Sequence, residues 1–477
     1  MTAPTRTRAT RVLLVLLLAT LVGLGVAPVA AGAVARALVD VEMQDETEAL
    51  QAKHVHEIDA ELRATYVRLT VLWSRAEPQK GVYNEALLAS TDHLLDLAAA
   101  EGLRVVLTVA WTPEWASDQS LWNDPPQGVP ADVYRPYYAP RADAVDDFGA
   151  FVGMLASRYK GRIFAYECWN EPNIWPWLYP QTRGANTQFA AERYTQLLKA
   201  FAPAVHAADA DLDTHALVIG GATAPIGTDN VYRTSPQTFA KYLKDLGALD
   251  EMDAYSHHPY QPGPRVLAPE AAPLTPGSTV TLQNLGALLK IVPDLPFYLT
   301  EYGYNTAPSS MFGVKGVSQV TQADYLKRAY RYAARYSRVK ALFWYLRRDS
   351  SPSGKAGDLN GVYTGLRTIS DSRKRSWFAF AGGMKLTLAA RSPIRAGAYT
   401  KLTGALTCSR LATSTGGVSA KSLEVQRRAG GAWKKIKAVK TRSGGRYTAW
   451  VRLYRDTRLR VVWRGVVISR ARFVDVR

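Results

Sequence analysis

Short runs of apolar, often β-branched residues alternate along most of the chain with longer segments whose apolar positions recur at helical spacing. The run over residues 105–110 is almost entirely apolar, which is typical of a parallel strand buried on both faces. The pattern predicts eight strands, at residues 37–41, 66–72, 103–110, 162–169, 216–220, 254–258, 296–300 and 340–346. It predicts helices at residues 84–101, 144–159, 187–208, 235–246 and 321–336.

Eight strands that alternate with helices predict an α/β fold, a (β/α)8 TIM barrel over residues 36–381. A doubly wound open sheet is the alternative for the same alternation. No glycine-rich phosphate loop follows any predicted strand, which argues against a nucleotide-binding fold.

The pattern changes over residues 382–477, where short alternating runs are separated by turns such as Gly430-Gly431 and Gly444-Gly445. Regularly spaced short strands predict a small all-β sandwich domain. The pattern resembles the immunoglobulin-like modules that are appended to secreted bacterial proteins.

Charge separates the same two regions. Residues 385–477 hold 22 Lys and Arg against three acidic residues, a net charge of +19, so the rest of the +18 chain has a net charge of −1. A basic module of this kind attracts polyanions. We expect a cell-wall polymer, an anionic lipid surface or an acidic polysaccharide as its partner and no nucleic acid; a spacer without a partner is the alternative.

The composition is that of a globular protein, with 47% hydrophobic and 21% charged residues in 477, and it excludes fibrous and wholly disordered classes. Two cysteines, Cys168 and Cys408, cannot form a disulfide framework or a cysteine-rich zinc site.

The N-terminal residues 1–35 have the order of a secretory signal peptide. Three arginines precede an apolar run over residues 12–27, and small residues follow Pro28. The run is short for a membrane-spanning helix, which needs about 20 residues. We therefore expect cleavage and a secreted protein, with a retained anchor as the alternative. Association with the cell wall is a further expectation.

Candidate chemistry is concentrated where the predicted strands end. Trp169-Asn170-Glu171-Pro172-Asn173 ends the fourth strand, and Thr300-Glu301-Tyr302-Gly303 ends the seventh. Active residues of a TIM barrel come from the carboxyl ends of different strands, so the two glutamates would share one mouth. Paired carboxylates beside tryptophans suit cleavage of a glycosidic bond.

These two motifs resemble the acid/base and nucleophile signatures of clan A retaining glycoside hydrolases, and the chain is most similar to families 39 and 5, the cellulase-like group. The resemblance covers roughly residues 36–381. It implies that Glu171 is the acid/base and Glu301 the nucleophile. It also implies that Asn170 binds the sugar 2-hydroxyl and that Arg68 and Tyr260 hold Glu301.

The same resemblance places further residues at the pocket. It implies that Trp344, on the eighth strand, forms the floor under the sugar and that His258 is a pocket residue. We expect Trp111, Trp175 and Trp177 to be sugar platforms. Cys168 is expected to be a small buried residue.

Neither a metal nor a cofactor is expected. His257-His258 and His54-Val55-His56 could suggest metal ligands, but the chain has only seven histidines and no His-Glu-x-x-His motif.

The sequence thus predicts a secreted, monomeric, retaining β-glycosidase that hydrolyses a β-linked poly- or oligosaccharide by double displacement. A carbohydrate-binding surface protein without turnover and a transglycosylase are the alternatives. The sugar and its linkage are left open.

Overall fold

The computed structural model describes residues 34–126, 134–263, 265–310, 313–355, 358–382, 384–409, 415–417, 422–429, 431–463 and 467–477. The predicted signal peptide, residues 1–35, falls almost entirely outside these residues. Among the helices of the described part, none is long and apolar enough to cross a membrane.

Eight parallel strands close into a barrel in chain order, from β1 beside β2 round to β8 beside β1. This confirms the predicted (β/α)8 barrel and excludes the doubly wound open sheet. The strands are β1 (Ala35–Val39), β2 (Tyr66–Leu72), β3 (Arg104–Ala110), β4 (Ala165–Cys168), β5 (Leu217–Thr223), β6 (Ala254–His257), β7 (Phe297–Tyr302) and β8 (Val339–Tyr345).

Nine α-helices are described. They are α1 (Glu48–His56), α2 (Trp73–Ala76), α3 (Glu85–Ala100), α4 (Val145–Arg158), α5 (Phe189–Ala208), α6 (Pro236–Asp245), α7 (Gly286–Ile291), α8 (Gln319–Ala333) and α9 (Arg375–Phe380). Asn84 and Ser235 cap α3 and α6, because their side chains accept hydrogen bonds from the backbone N–H groups of Leu87 and Thr238. Both helices therefore begin one residue later than predicted.

The barrel interior is filled from the side where the strands begin. Tyr66 packs against Phe164, Tyr298 and Phe343, with ring centroids 4.9, 6.1 and 6.0 Å away. Alanines of several strands complete this inner cluster, while a second and larger cluster lies between the strands and the helices. Side chains thus fill the barrel where the strands begin, and a pocket can form only at the carboxyl ends of the strands.

Two antiparallel five-stranded sheets follow α9. The first contains β9 (Met384–Leu386), β10 (Ala389–Ala390), β11 (Tyr399–Ser409), β12 (Thr415–Gly417) and β15 (Arg446–Arg452). The second contains β13 (Ser422–Ala429), β14 (Ala432–Lys440), β16 (Thr457–Trp463), β17 (Val467–Ile468) and β18 (Arg472–Val474). The predicted small all-β region is confirmed, and its immunoglobulin-like character stays a prediction.

Candidate active site

The predicted pocket residues come together at the carboxyl ends of β2, β4, β6 and β7. Arg68 lies within β2, Glu301 near the end of β7, and His258 directly after β6. A pocket opens there, and its lining includes Arg68, Asn170 and Glu301.

Glu171 is presented by an unusual backbone after β4. Trp169 and Glu171 have left-handed φ values of 67° and 40°, which cost conformational energy in residues other than glycine. The turn is held by the indole N–H of Trp169, which donates to the carbonyl of Trp177 at 2.9 Å, and by the N–H of Glu171, which donates to the carbonyl of Ala222 at 2.9 Å. Strained backbone held by its surroundings is typical of a functional turn.

Asn173 fastens the same turn to the next strand. Its side-chain oxygen accepts from the N–H of Ala224 at 2.7 Å, and its amide donates to the carbonyl of Thr234 at 2.9 Å. Asn173, the last residue of the Trp-Asn-Glu-Pro-Asn motif, is buried, and both of these bonds go to backbone groups. It therefore positions the turn that carries Glu171.

Arg68 joins the two glutamate motifs. Its buried guanidinium donates to Oε2 of Glu167, Oε1 of Glu301 and Oδ1 of Asn170, each at 2.7 Å. Thr108 adds a hydrogen bond to Oε2 of Glu167, also at 2.7 Å. Glu167 is fully buried and neutralises the charge of Arg68. Arg68 in turn holds the side chains of Glu301 and Asn170 in place.

Glu301 receives a donor on each carboxylate oxygen. Arg68 binds Oε1, and the Tyr260 hydroxyl donates to Oε2 at 3.0 Å. Two fixed donors set the direction in which this carboxylate points.

His258 lies between the two candidate catalytic carboxylates. Its Nδ1 is 2.9 Å from Oε1 of Glu171 and 3.8 Å from Oε2 of Glu301, and its Nε2 is 3.1 Å from the Thr300 hydroxyl. One oxygen of each glutamate and a nitrogen of His258 lie within 4.8 Å of one another. The family resemblance implies that His258 is a pocket residue, but nothing in the sequence indicates its contact with Glu171.

Burial and charge act on these groups in different directions. Burial raises the pKa of Glu171, His258 lowers it, and the charge of Glu301 raises it again, so the net pKa is above the ordinary value. Burial lowers the pKa of His258, but the carboxylates of Glu301 and Glu171 raise it more. Burial raises the pKa of Glu167, but Arg68 and other partners outweigh it and lower the net value.

Trp344 is not the floor of the pocket, and this expectation is corrected. It is fully buried, packs edge-on against Tyr302, and donates its indole N–H to the carbonyl of Thr364 at 2.9 Å. Side chains alternate along a strand, and Phe343 of β8 belongs to the inner cluster of the barrel. Trp344 therefore faces the helices, and Tyr345 faces the pocket that it lines.

The predicted tryptophan platforms differ in position. Trp111 lines the pocket and stacks on Trp177, with ring centroids 5.1 Å apart, and Trp177 lines the pocket too. Trp175 does not belong to this lining and packs edge-on against Tyr137 at 5.4 Å. Of the two tryptophans that follow the acid/base motif, Trp177 is therefore the one at the pocket.

The wall near β1 holds pocket residues that the sequence analysis missed. Gln44 and Asp45 line the pocket together with Arg75, and Arg75 pairs with Asp45 at 2.9 Å. The residues after β1 carry no regular hydrophobic pattern, so nothing in the sequence marked them.

Among the described histidines, acids and cysteines, Glu171, His258 and Glu301 are close enough to share a metal ion. The other candidate histidines have different partners. His257 contacts Thr223 and the carbonyl of Val280, and burial lowers its pKa to about 3. His54 pairs with Glu46. Cys168 is buried and free, as expected.

Known proteins resemble this chain in sequence profile and in fold. No curated protein sequence matches it. A family 39 glycoside hydrolase from the gut symbiont Bacteroides cellulosilyticus has 17% identity and a TM-score of 0.51, over 89% of this chain and 80% of that one. GH5_18 from Streptomyces cattleya in complex with GlcNAc has 14% identity and a TM-score of 0.51, over 73% and 79% of the two chains. GH5_18 from Bifidobacterium longum subsp. infantis has 14% identity and a TM-score of 0.50, over 76% and 82%.

The profile of the family Cellulase (glycosyl hydrolase family 5) matches residues 37–350, more than half of the chain. The expected similarity to families 39 and 5 is thereby confirmed. The matched segment runs from β1 to beyond β8 and contains both Glu171 and Glu301. The chain belongs to glycosyl hydrolase family 5 and is a glycoside hydrolase.

Proposed function

We propose that this enzyme is a retaining β-glycosidase that hydrolyses a β-linked poly- or oligosaccharide by double displacement. The observation that supports it best is the spacing of Glu171 and Glu301, whose carboxylate oxygens approach within 4.8 Å. Retaining enzymes hold their two carboxyl groups about 5–5.5 Å apart, whereas inverting enzymes need about 6.5–9.5 Å to admit a water.

In the first step, protonated Glu171 donates its proton to the glycosidic oxygen while Glu301 attacks the anomeric carbon. The carbon–oxygen bond to the leaving group breaks, and an ester to Glu301 forms. The raised pKa of Glu171 favours its protonated form before this step. Asn170, held by Arg68, is placed to bind the sugar 2-hydroxyl.

In the second step, Glu171 takes a proton from water, and that water cleaves the ester. Glu301 is uncharged while it is esterified, so its contribution to the raised pKa of Glu171 disappears. His258 still donates to Glu171 and stabilises the carboxylate form that this step needs. Glu171 therefore serves first as the acid and then as the base.

The pocket walls support a glycan as substrate. Trp111 and Trp177 provide apolar faces on one side, and Asp45 and Arg75 provide hydrogen-bonding groups on the other. Planar rings suit the C–H faces of sugars, and charged groups suit their hydroxyls.

The proposal is tested by following the anomeric proton of the first product by NMR during cleavage of a panel of aryl β-glycosides and β-linked oligosaccharides. Initial release of the β-anomer supports the proposal, and initial release of the α-anomer contradicts it. Adding a sugar acceptor distinguishes hydrolysis from transglycosylation, because transfer yields a longer product with the same configuration.

We also propose that the enzyme acts outside the cytoplasm as a monomer. The support for export is the order of basic, apolar and small residues in residues 1–35.

A further inference from the structure

Three large aromatic side chains are exposed on the outer face of the first antiparallel sheet and directly after its strand β15. Tyr399, Trp450 and Tyr454 are 58%, 49% and 67% exposed. Burial alternates along β15, so that Ala449 and Val451 face the core while Trp450 and Arg452 face outward. A group of exposed aromatic residues marks an interaction surface, whereas single exposed hydrophobic residues are common on protein surfaces.

Cations are interleaved with these rings by the strand register. Tyr399 of β11 lies opposite Arg452 of β15, and Lys401 lies opposite Trp450. The Arg452 guanidinium lies 5.9 Å from the Tyr399 ring and 5.4 Å from the Tyr454 ring, and the Lys401 ammonium lies 5.7 Å from the Trp450 ring. We call these five residues the aromatic–cation face.

No carboxylate neutralises this face within the described residues. The ion pairs described beyond residue 384 are Lys435 with Glu424 and Arg477 with Asp475, and neither includes Lys401 or Arg452. The net charge of residues 385–477 is +19. Arg452 donates from Nε to the carbonyl of Gly397 at 2.6 Å, and no ion pair engages Arg452 or Lys401 in the described part of the chain. The face therefore attracts a polyanion.

We propose that the aromatic–cation face is a binding site for an acidic polysaccharide, one whose sugars carry carboxylates, separate from the catalytic pocket. A uronate residue offers an apolar C–H face for a ring and a carboxylate for the neighbouring cation. Single-stranded nucleic acid also combines rings with cations, so RNA is an alternative ligand that the test must exclude. The barrel of the same chain is a glycoside hydrolase, which favours a polysaccharide over a nucleic acid at this face.

A second glycan site has a clear use in a glycoside hydrolase. Binding at the sheet keeps the enzyme on the polymer or surface that carries its substrate, which raises the effective concentration at the catalytic pocket. The site does not depend on the catalytic mechanism, so it can be tested by binding alone.

The test is affinity electrophoresis of the full chain against polygalacturonate, with methyl-esterified pectin as the uncharged form of the same backbone. Polygalacturonate is α-linked, so a β-glycosidase leaves it intact during the measurement. We expect retardation by polygalacturonate and little by the ester. Trp450→Ala and the pair Lys401→Gln with Arg452→Gln should each weaken binding at least about tenfold.

The matched control removes two charges from the other sheet. Arg428 and Arg458 are exposed on β13 and β16, so Arg428→Gln with Arg458→Gln has the same charge change. We expect less than about a twofold effect on binding. An equal loss in both double variants would overturn the proposal, because net charge alone would then explain the binding.

Two further results would overturn it. One is equal retardation by the esterified polymer; the other is tighter binding of poly(U) RNA that the same substitutions abolish. Trp450→Tyr retains an aromatic ring and should retain binding, which separates loss of the contact from loss of folding. All variants should cleave a short aryl glycoside at the wild-type rate.

Discussion

Arg68 shows how a buried charge organises the site at the scale of single residues. It binds Glu167, Asn170 and Glu301 at once, so the two motifs that are 130 residues apart are fixed by one guanidinium. The contact of Arg68 and Tyr260 with Glu301 could be anticipated from the sequence. The bond between His258 and Glu171 could not, because a histidine beside a proline carries no sign of its partner.

Replacing the acid/base should produce a loss that depends on the leaving group. We expect Glu171→Ala to lower kcat/KM by about 10²- to 10⁴-fold for substrates with poor leaving groups. The loss should be much smaller with a dinitrophenyl glycoside, whose leaving oxygen needs no proton. Azide should restore turnover and yield a β-glycosyl azide, and equal losses for both leaving groups would argue against this role.

The pH profile should report the link between His258 and Glu171. Glu171 must be protonated to start catalysis, so kcat/KM should fall as the pH rises through its pKa. His258 lowers that pKa. The alkaline limb should therefore move to higher pH in His258→Gln.

Tyr345→Phe is the control for this profile, because it changes the pocket lining without removing a charged partner of Glu171. Its alkaline limb should stay near that of the wild type. An alkaline limb that stays in place in His258→Gln, or moves to lower pH, would contradict the assignment.

At the scale of elements, the long buried strands and amphipathic helices could be predicted because each has a strong period of its own. The weakly patterned elements were missed, among them α1, α7 and the residues after β1 that form a pocket wall. The error at Trp344 came from position within a strand. A shift of one residue exchanges the pocket face for the helix face, so β8 presents Tyr345 and buries Trp344.

The orientation of β8 predicts opposite results for two adjacent substitutions. Tyr345→Ala should raise KM with little change in stability, because it removes part of the pocket lining. Trp344→Phe should lower the free energy of unfolding by about 1–3 kcal/mol and leave KM unchanged, because it removes a buried hydrogen bond and packing. Steady-state kinetics and urea unfolding measure both effects, and a KM effect confined to Trp344→Phe would reverse the assignment.

At the scale of the whole molecule, the last barrel helix contacts the second antiparallel sheet. Phe378 of α9 packs edge-on against Trp463 of β16, with ring centroids 5.5 Å apart. The nearly neutral barrel and the strongly basic sheets thus meet through an apolar contact that the charge pattern of the sequence could not reveal.

This contact should contribute to stability without entering catalysis. We expect Phe378→Ala to lower the free energy of unfolding by about 3 kcal/mol while the kinetics of a short substrate stay unchanged at 25 °C. Calorimetry of both proteins measures the effect. An unchanged melting temperature would show that the contact does not stabilise the fold.

The central claim is that Glu301 forms the glycosyl-enzyme ester, and trapping that ester tests it most directly. The enzyme is incubated with a panel of activated 2-deoxy-2-fluoro β-glycosides, and its peptides are mapped by mass spectrometry beside those of Glu301→Gln. We predict one added fluoroglycosyl group on the peptide that contains Glu301, and none on that peptide in the variant. A label on a different residue would contradict the account.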